Sequence, residues 1–244
     1  MSDAGPRDIE WTGEQIRRFW DYHSSNPALT DQYFSGMMGR SLLRYTTRRI
    51  RIGTAVDVGC GRGQLMRFLM QRGSDVYGAD QSPESVRLVC AQFAGARRFK
   101  GATVGTEGLA SEIADTVFMV EVIEHLDDSA LENALGEAHR LLKPGGHLVL
   151  TTPNEENLDA SKIICPNCLT VFHQMQHVRR WSADILAAEV AKYGFRSRSA
   201  EGAVLTTYDG VFDTLYRWLY TLRHRGARPS LLYIGTKTGP QLLP

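Results

Sequence analysis

Three runs of residue types in this sequence can do chemistry. The first is Asp57-Val58-Gly59-Cys60-Gly61-Arg62-Gly63. Glycine at alternate positions leaves no Cβ to block a ligand lying against the backbone, and glycine adopts φ > 0 at little cost. The apolar run Ala55 to Val58 precedes the loop, and an apolar-periodic stretch from Gln64 to Gln71 follows it. The glycines thus join a buried strand to a helix N-terminus, where anionic ligand groups are stabilised. The order is G-x-G-x-G, whereas a dinucleotide site needs G-x-G-x-x-G; the third glycine comes one residue early, which argues against NAD. Asp57 stands before the loop. Asp80 lies seventeen residues after Gly63, where a carboxylate can accept hydrogen bonds from vicinal ribose hydroxyls. Read blandly, the glycines make only a tight strand-to-helix turn, and Cys60 is a small packing residue.

The second run is Glu121-Val122-Ile123-Glu124-His125. Histidine's unperturbed pKa lies near neutrality, so His125 is a candidate general base, with Glu121 and Glu124 beside it. The alternative is that these residues only shape a loop. The third run is Cys165-Pro166-Asn167-Cys168, followed by His173 and His177, giving C-x2-C-x4-H-x3-H. Two thiolates and two imidazoles at this spacing suit tetrahedral zinc, which would order a polar loop that has little apolar surface to pack. Free thiols and solvated or core histidines are the rival reading.

The elements that must position these groups follow from periodicity. Short apolar runs at Ala55 to Val58, Asp75 to Ala79, Phe99 to Val104, Thr116 to Val120 and His147 to Thr152 alternate with helical stretches at 64–71, 83–93 and 129–142. That alternation predicts βαβ units and a parallel sheet covered on both faces. Residues 153–181 form a long polar insertion. A helix at 182–193, a strand from Phe195, an aromatic-rich helix at 208–223 and a strand at 231–236 complete the chain. Residues 1–10 read as a loose tail, and 11–52 as helices that cover a site. The expected organisation is an N-terminal helical appendage over 1–52 and one α/β domain over 53–244. Phe212, Tyr216, Trp218 and Tyr220 are expected in the core or in a lid.

The run from Ala55 to Gln81 resembles the first motifs of class I methyltransferases, which use S-adenosylmethionine. Glu121 to Leu126, Leu141-Leu142-Lys143-Pro144-Gly145-Gly146 and Thr151-Thr152-Pro153-Asn154 resemble that family's later landmarks. The resemblance implies a Rossmann-like, mostly parallel seven-stranded sheet with an N-terminal helical lid. It implies a cofactor held by Asp57, Gly59, Gly61, Gly63, Asp80, Gln81 and Glu121, with Glu107 near the adenine. The E-x-x-E-H loop resembles that of ubiquinone-pathway O-methyltransferases, which implies methyl transfer to an oxygen, or a nitrogen, of a small-molecule acceptor. The same loop resembles RNA 3′-terminal 2′-O-methyltransferases, in which Glu121, Glu124, His125 and His177 would hold a divalent metal instead of zinc. The two metal readings compete for His177. A third alternative is a cofactor- or zinc-binding interaction protein without catalysis.

Bulk composition is that of an ordinary soluble globular protein. Lys and Arg number 28 against 27 Asp and Glu, so nothing marks a nucleic-acid or anionic-surface binder overall, although a local basic face remains open. No apolar run is long enough to span a bilayer, the N-terminus is too polar for a secretory signal, and four cysteines make no disulfide framework. The expectation is a cytoplasmic protein without membrane insertion; the sequence does not decide its oligomeric state.

Overall fold

A computed structural model describes residues 5–30, 33–208, 211–224 and 226–239. In chain order the elements are β1 (Arg7–Asp8), α1 (Gly13–Ser25), α2 (Pro27–Thr30), α3 (Phe34–Thr47), β2 (Ala55–Val58), α4 (Gln64–Gln71), β3 (Val76–Asp80), α5 (Pro83–Gln92), β4 (Phe99–Val104), β5 (Ala114–Val120), α6 (Asp128–Leu141), β6 (Leu142–Pro153), β7 (Lys162–Ile164), β8 (Thr170–His173), α7 (Ala183–Ala191), β9 (Phe195–Ala203), α8 (Val211–Arg223) and β10 (Ser230–Lys237). Two single 3₁₀ turns, Ile123–His125 and Leu158–Ser161, interrupt the loops.

Seven strands form one sheet in the order β4-β3-β2-β5-β6-β10-β9. β10 runs antiparallel to both β6 and β9, and the other neighbours are parallel. Two apolar layers sandwich it. Leu65, Met66 and Leu69 of α4 pack with Leu42 and Leu43 of α3 on one face. Leu131, Leu135 and Leu141 of α6 pack with Leu186 and Val190 of α7 on the other. In the centre of β5, Val117, Phe118 and Met119 have no exposed surface because both faces are covered. Truncating such a residue to alanine costs about 3 to 5 kcal/mol.

Local chemistry sets the helix starts that matter for the site. Ser82 caps α5 by accepting from Ser85 N, with Pro83 in the first turn where a missing N–H costs little. Asp127 caps α6 through Ala130 N at 2.8 Å. Gly63 enters α4 with φ 73°.

Three expectations need correction. Arg7 and Asp8 are not a loose tail: they pair in parallel with Thr170 and Val171 of β8; residues 1–4 lie outside the described ones. The polar insertion is not one irregular loop, because β7 and β8 form an antiparallel hairpin that completes this second sheet. Of the core-or-lid expectation for the aromatic-rich helix, the core half fails: Phe212 and Trp218 of α8 are 71% and 59% exposed. Its buried side is polar, and hydrophobic periodicity alone does not reveal which side a helix turns inward.

Candidate active site

The carboxyl ends of β2, β3 and β5 bring the glycine loop, Asp80 and the Glu121 loop together. Gly59 N and Cys60 N both donate to Ala79 O, at 2.8 and 3.1 Å, which folds the loop across the end of β3. Gly59 has φ 76°, and a Cβ there would lie 2.6 Å from Val122 Cγ2. Gly61 has φ 49° and faces the Tyr33 ring. Any side chain at either position would combine backbone strain with a clash against a wall of the site.

Asp80 Oδ2 accepts from Gly61 N at 2.8 Å, and Oδ1 accepts from Ser82 N at 2.9 Å. Burial nevertheless pushes its carboxyl up, because these bonds offset only part of the lost hydration. Asp57 is buried beneath the loop, and burial followed by the Asp80 charge pushes it up to about 8. Gln81, next in chain, is exposed. Glu107 is also exposed and folds its carboxylate back over Gly105, whose N–H donates to Asp80 O at 3.0 Å.

Glu121 sits at φ 54°, a conformation costing about 1 kcal/mol or more for a residue with a Cβ. Its N–H donates to Thr151 O at 3.0 Å, and its Oε1 accepts from Thr151 Oγ1 at 2.8 Å. Burial pushes Glu121 up to about 7. Glu124 is fully enclosed, neither carboxylate oxygen has a hydrogen-bond partner, and burial then the Glu121 charge push it well up. An unpartnered buried carboxylate of this kind costs free energy that a bound cation would recover.

The insertion folds back over this loop and supplies the histidines. Val178 N donates to Glu124 O at 2.9 Å, and Gln176 Nε2 donates to His125 O at 3.0 Å. Gln176 Oε1 accepts from Trp20 Nε1 of α1 at 3.0 Å, and the Trp20 and His125 rings lie 4.7 Å apart. Helix α1 is fixed further along by Ser82 Oγ donating to Asp21 and by the Ser85–Ser24 hydroxyl pair. The amino-terminal helix and the insertion therefore meet over His125. Enclosure pushes His125 down to about 3, with the neighbouring His177 adding to the effect.

Ligand atoms of Glu124, His125 and His177 lie within 4.8 Å of one another, as do those of Glu156, His173 and His177. His177 Nδ1 meets Glu156 Oε2 at 2.5 Å, and His125 Nδ1 faces Gln176 O at 3.5 Å. A histidine whose Nδ1–H is held by a carboxylate or a carbonyl presents Nε2 as a free ligand. His173 differs. Its Nδ1 accepts from Met175 N and His177 N, both at 3.2 Å, so in a neutral ring Nε2 carries the proton, and it faces Glu156 Oε1 at 3.4 Å. Glu156 therefore orients His177, while His173 Nε2 makes no hydrogen bond of its own.

Cys165, Cys168, His173 and His177 do not converge. The hairpin register pairs Lys162 with His173 and Ile164 with Val171, so the cysteines sit at the turn and His173 at the opposite end. Neither three-ligand cluster among the described residues includes a cysteine. The C-x2-C and H-x3-H halves are close in sequence but are held apart by the strand between them. Sequence reading missed Glu156, Gln176 and Tyr33; it allowed Trp20, with Tyr22 and His23, a place over the acceptor but favoured core packing. The nearest signal was Glu155-Glu156 beside the Asn154 landmark, and acidic pairs are too common in loops to single out.

The chain matches the model of a methyltransferase domain over residues 30–200. A ubiquinone biosynthesis O-methyltransferase of Leptothrix cholodnii is 28% identical over 159 residues, 63% of this chain and 66% of the relative. One from Acinetobacter baumannii (strain AYE) is 31% identical over 152 residues, 56% of this chain and 58% of the relative. The match thus spans less than two thirds of the length of either. Among solved structures, a Burkholderia thailandensis 1,6-didemethyltoxoflavin-N1-methyltransferase, with bound S-adenosylhomocysteine, superposes with a TM-score of 0.63 at 16% identity, over 96% of this chain and 94% of that one. That likeness bears on the fold alone. The matched model covers well over half of the chain, and the chain belongs to the methyltransferase-domain family, as a class I, S-adenosylmethionine-dependent member.

Proposed function

We propose that this chain transfers the methyl group of S-adenosylmethionine to an oxygen of a small-molecule acceptor. The observation that carries this reading is charge. Asp57, Asp80, Glu121 and Glu124 are all pushed up around the glycine loop, with burial the largest cause at each. S-adenosylmethionine carries a sulfonium and an ammonium, and its homocysteine product retains the ammonium, so the donor set fits. The glycine loop gives the ligand backbone to lie against.

When bound, the cofactor supplies a methyl group on sulfur that is already a good electrophile. In this reading Asp80 accepts ribose hydroxyls, and Asp57 and Glu121 face its cationic end. Residues of this chain then have to fix the acceptor in line, exclude water and take a proton. The acceptor O–H loses its proton as the new O–CH₃ bond forms, and the sulfonium becomes a neutral thioether. His125 is the candidate base: its Nδ1 faces Gln176 O at 3.5 Å, and its Nε2 lies 4.0 Å from Glu124 Oε1. Trp20 and Gln176 hold the ring and close the site above it.

The Glu124–His125–His177 cluster also fits a divalent cation. It offers one carboxylate and two imidazoles whose Nδ1 atoms face outer oxygens, and mixed N/O donors of this kind suit zinc or a transition metal. There the ion would polarise an acceptor hydroxyl and lower its pKa. An RNA ribose would be served by the same donors, which keeps terminal-ribose RNA among the acceptors to be tried. The similarity to ubiquinone biosynthesis O-methyltransferases favours a small molecule.

A panel of hydroxylated small molecules, amines and short RNAs, incubated with methyl-labelled cofactor with and without divalent metal and read by mass, tests the proposal. Label on a small-molecule oxygen is the expected result. Label on RNA or nitrogen alone would overturn the acceptor class. Tight S-adenosylhomocysteine binding with no labelled product from any acceptor would favour the non-catalytic alternative.

A further inference from the structure

Helix α8 is mounted with its polar side inward. Asp213 is buried and meets Arg44 of α3 at 3.2 Å, Arg217 on the next turn, and the Thr206 hydroxyl. Arg217 reaches Ser41 of α3 at 3.2 Å. These polar contacts fix the helix on α3, and the opposite side is apolar. Val211 is 81% exposed, Phe212 71%, Trp218 59% and Leu222 61%, with Leu215 and Leu219 between them also exposed. The spacings 211, 215, 218, 222 and 212, 219 place all six on one side of a helix with 3.6 residues per turn. A surface helix of a soluble domain normally turns such a stripe to the core; outward, it marks an interaction surface.

Charge selects the occupant. After Asp213 the sequence contains no further acidic residue, while Arg217, Arg223, Arg225, Arg228 and Lys237 follow. Arg223 and Arg228 are exposed at or just beyond the end of α8. An apolar face bearing Phe, Trp and Leu, flanked by arginines and lacking acids, is the composition of a helix that lies in the plane of an anionic bilayer surface. No helix among the described residues is long and apolar enough to cross a membrane, so the geometry is surface docking. We propose that α8 is an interfacial helix that docks this chain on anionic phospholipid membranes, whatever the acceptor.

Co-sedimentation with vesicles of phosphatidylcholine and phosphatidylglycerol, compared with phosphatidylcholine alone, tests this on the full chain. Binding should require the anionic lipid and weaken with salt, because exposed charges are screened. Phe212→Gln should reduce partitioning on the order of tenfold, and Arg223→Gln about fivefold. Both substitutions lie on the exposed side and away from the glycine loop, so S-adenosylhomocysteine affinity and melting temperature should match the parent, which separates failed docking from failed folding. No vesicle binding, or equal binding to both lipid mixtures, would overturn the proposal. So would a stable dimer that Phe212→Gln dissociates, because the face would then be covered by a second copy.

Discussion

Replacing Asp57 with asparagine removes one buried carboxyl from beneath the glycine loop and leaves the side chain's size unchanged. In the unliganded protein this carboxyl is pushed up to about 8, first by burial and then by Asp80. A carboxyl whose folded pKa exceeds its unfolded value binds more protons in the folded state. The stability it contributes is present below the unfolded pKa and is lost as pH rises towards the folded one. From about pH 6.5 to about pH 8, at about 1.36 kcal/mol per pH unit, the loss is about 2 kcal/mol. For a chain of this length that is about 4 to 8 °C in melting temperature. His125, pushed down to about 3, stays neutral across this window and does not mask the effect. Glu121, pushed up to about 7, adds a smaller fall of the same sign. Glu124, pushed well up by burial and the Glu121 charge, adds a fall of the same sign. Calorimetric melting of the unliganded parent should therefore decline over this interval, and Asp57→Asn should lessen the decline. Saturating S-adenosylhomocysteine should lessen it in the parent too, since its ammonium favours the ionised carboxylate. An Asp57→Asn variant that keeps the parental slope would refute the reasoning.

Other outcomes follow from the same geometry. Asp80→Ala removes the acceptor at the end of β3 and should weaken S-adenosylhomocysteine about ten- to hundredfold by titration calorimetry; unchanged affinity would sink the cofactor assignment. Gly59→Ala meets Val122 at 2.6 Å and an unfavourable φ of 76°. It should cost about 1 to 3 kcal/mol in thermal or denaturant unfolding, and a neutral result would show that the loop yields easily. For the metal, His177→Ala should abolish binding of added Mn²⁺ or Zn²⁺ at the Glu124 cluster, whereas Cys168→Ser should leave it intact. The reverse pattern, read by metal titration, would restore the cysteine site. Gln176→Ala should loosen the contact among Trp20, His125 and the insertion, raising the KM for an acceptor more than that for cofactor; an effect on cofactor KM alone would contradict that placement.

The sequence by itself determined the sheet, the glycine loop and the place of Asp57 and Asp80 beside it. Each is encoded by neighbours: the alternation of apolar runs with helical periods, and three glycines between Asp57 and Gln64, need no long-range information. Tertiary structure decided the rest. Gln176 joins Trp20 across 156 residues and His125 across 51, and no local pattern announces such pairings. Glu156 became part of the site only because the insertion folds back to set it between His173 and His177. The C-x2-C-x4-H-x3-H spacing looked like one metal site, but β8 is extended, and an extended strand carries its two ends apart at about 3.3 Å per residue. For α8, periodicity showed a helix with an apolar side, and only the anchoring of Asp213 and Arg217 on α3 showed that this side faces outward.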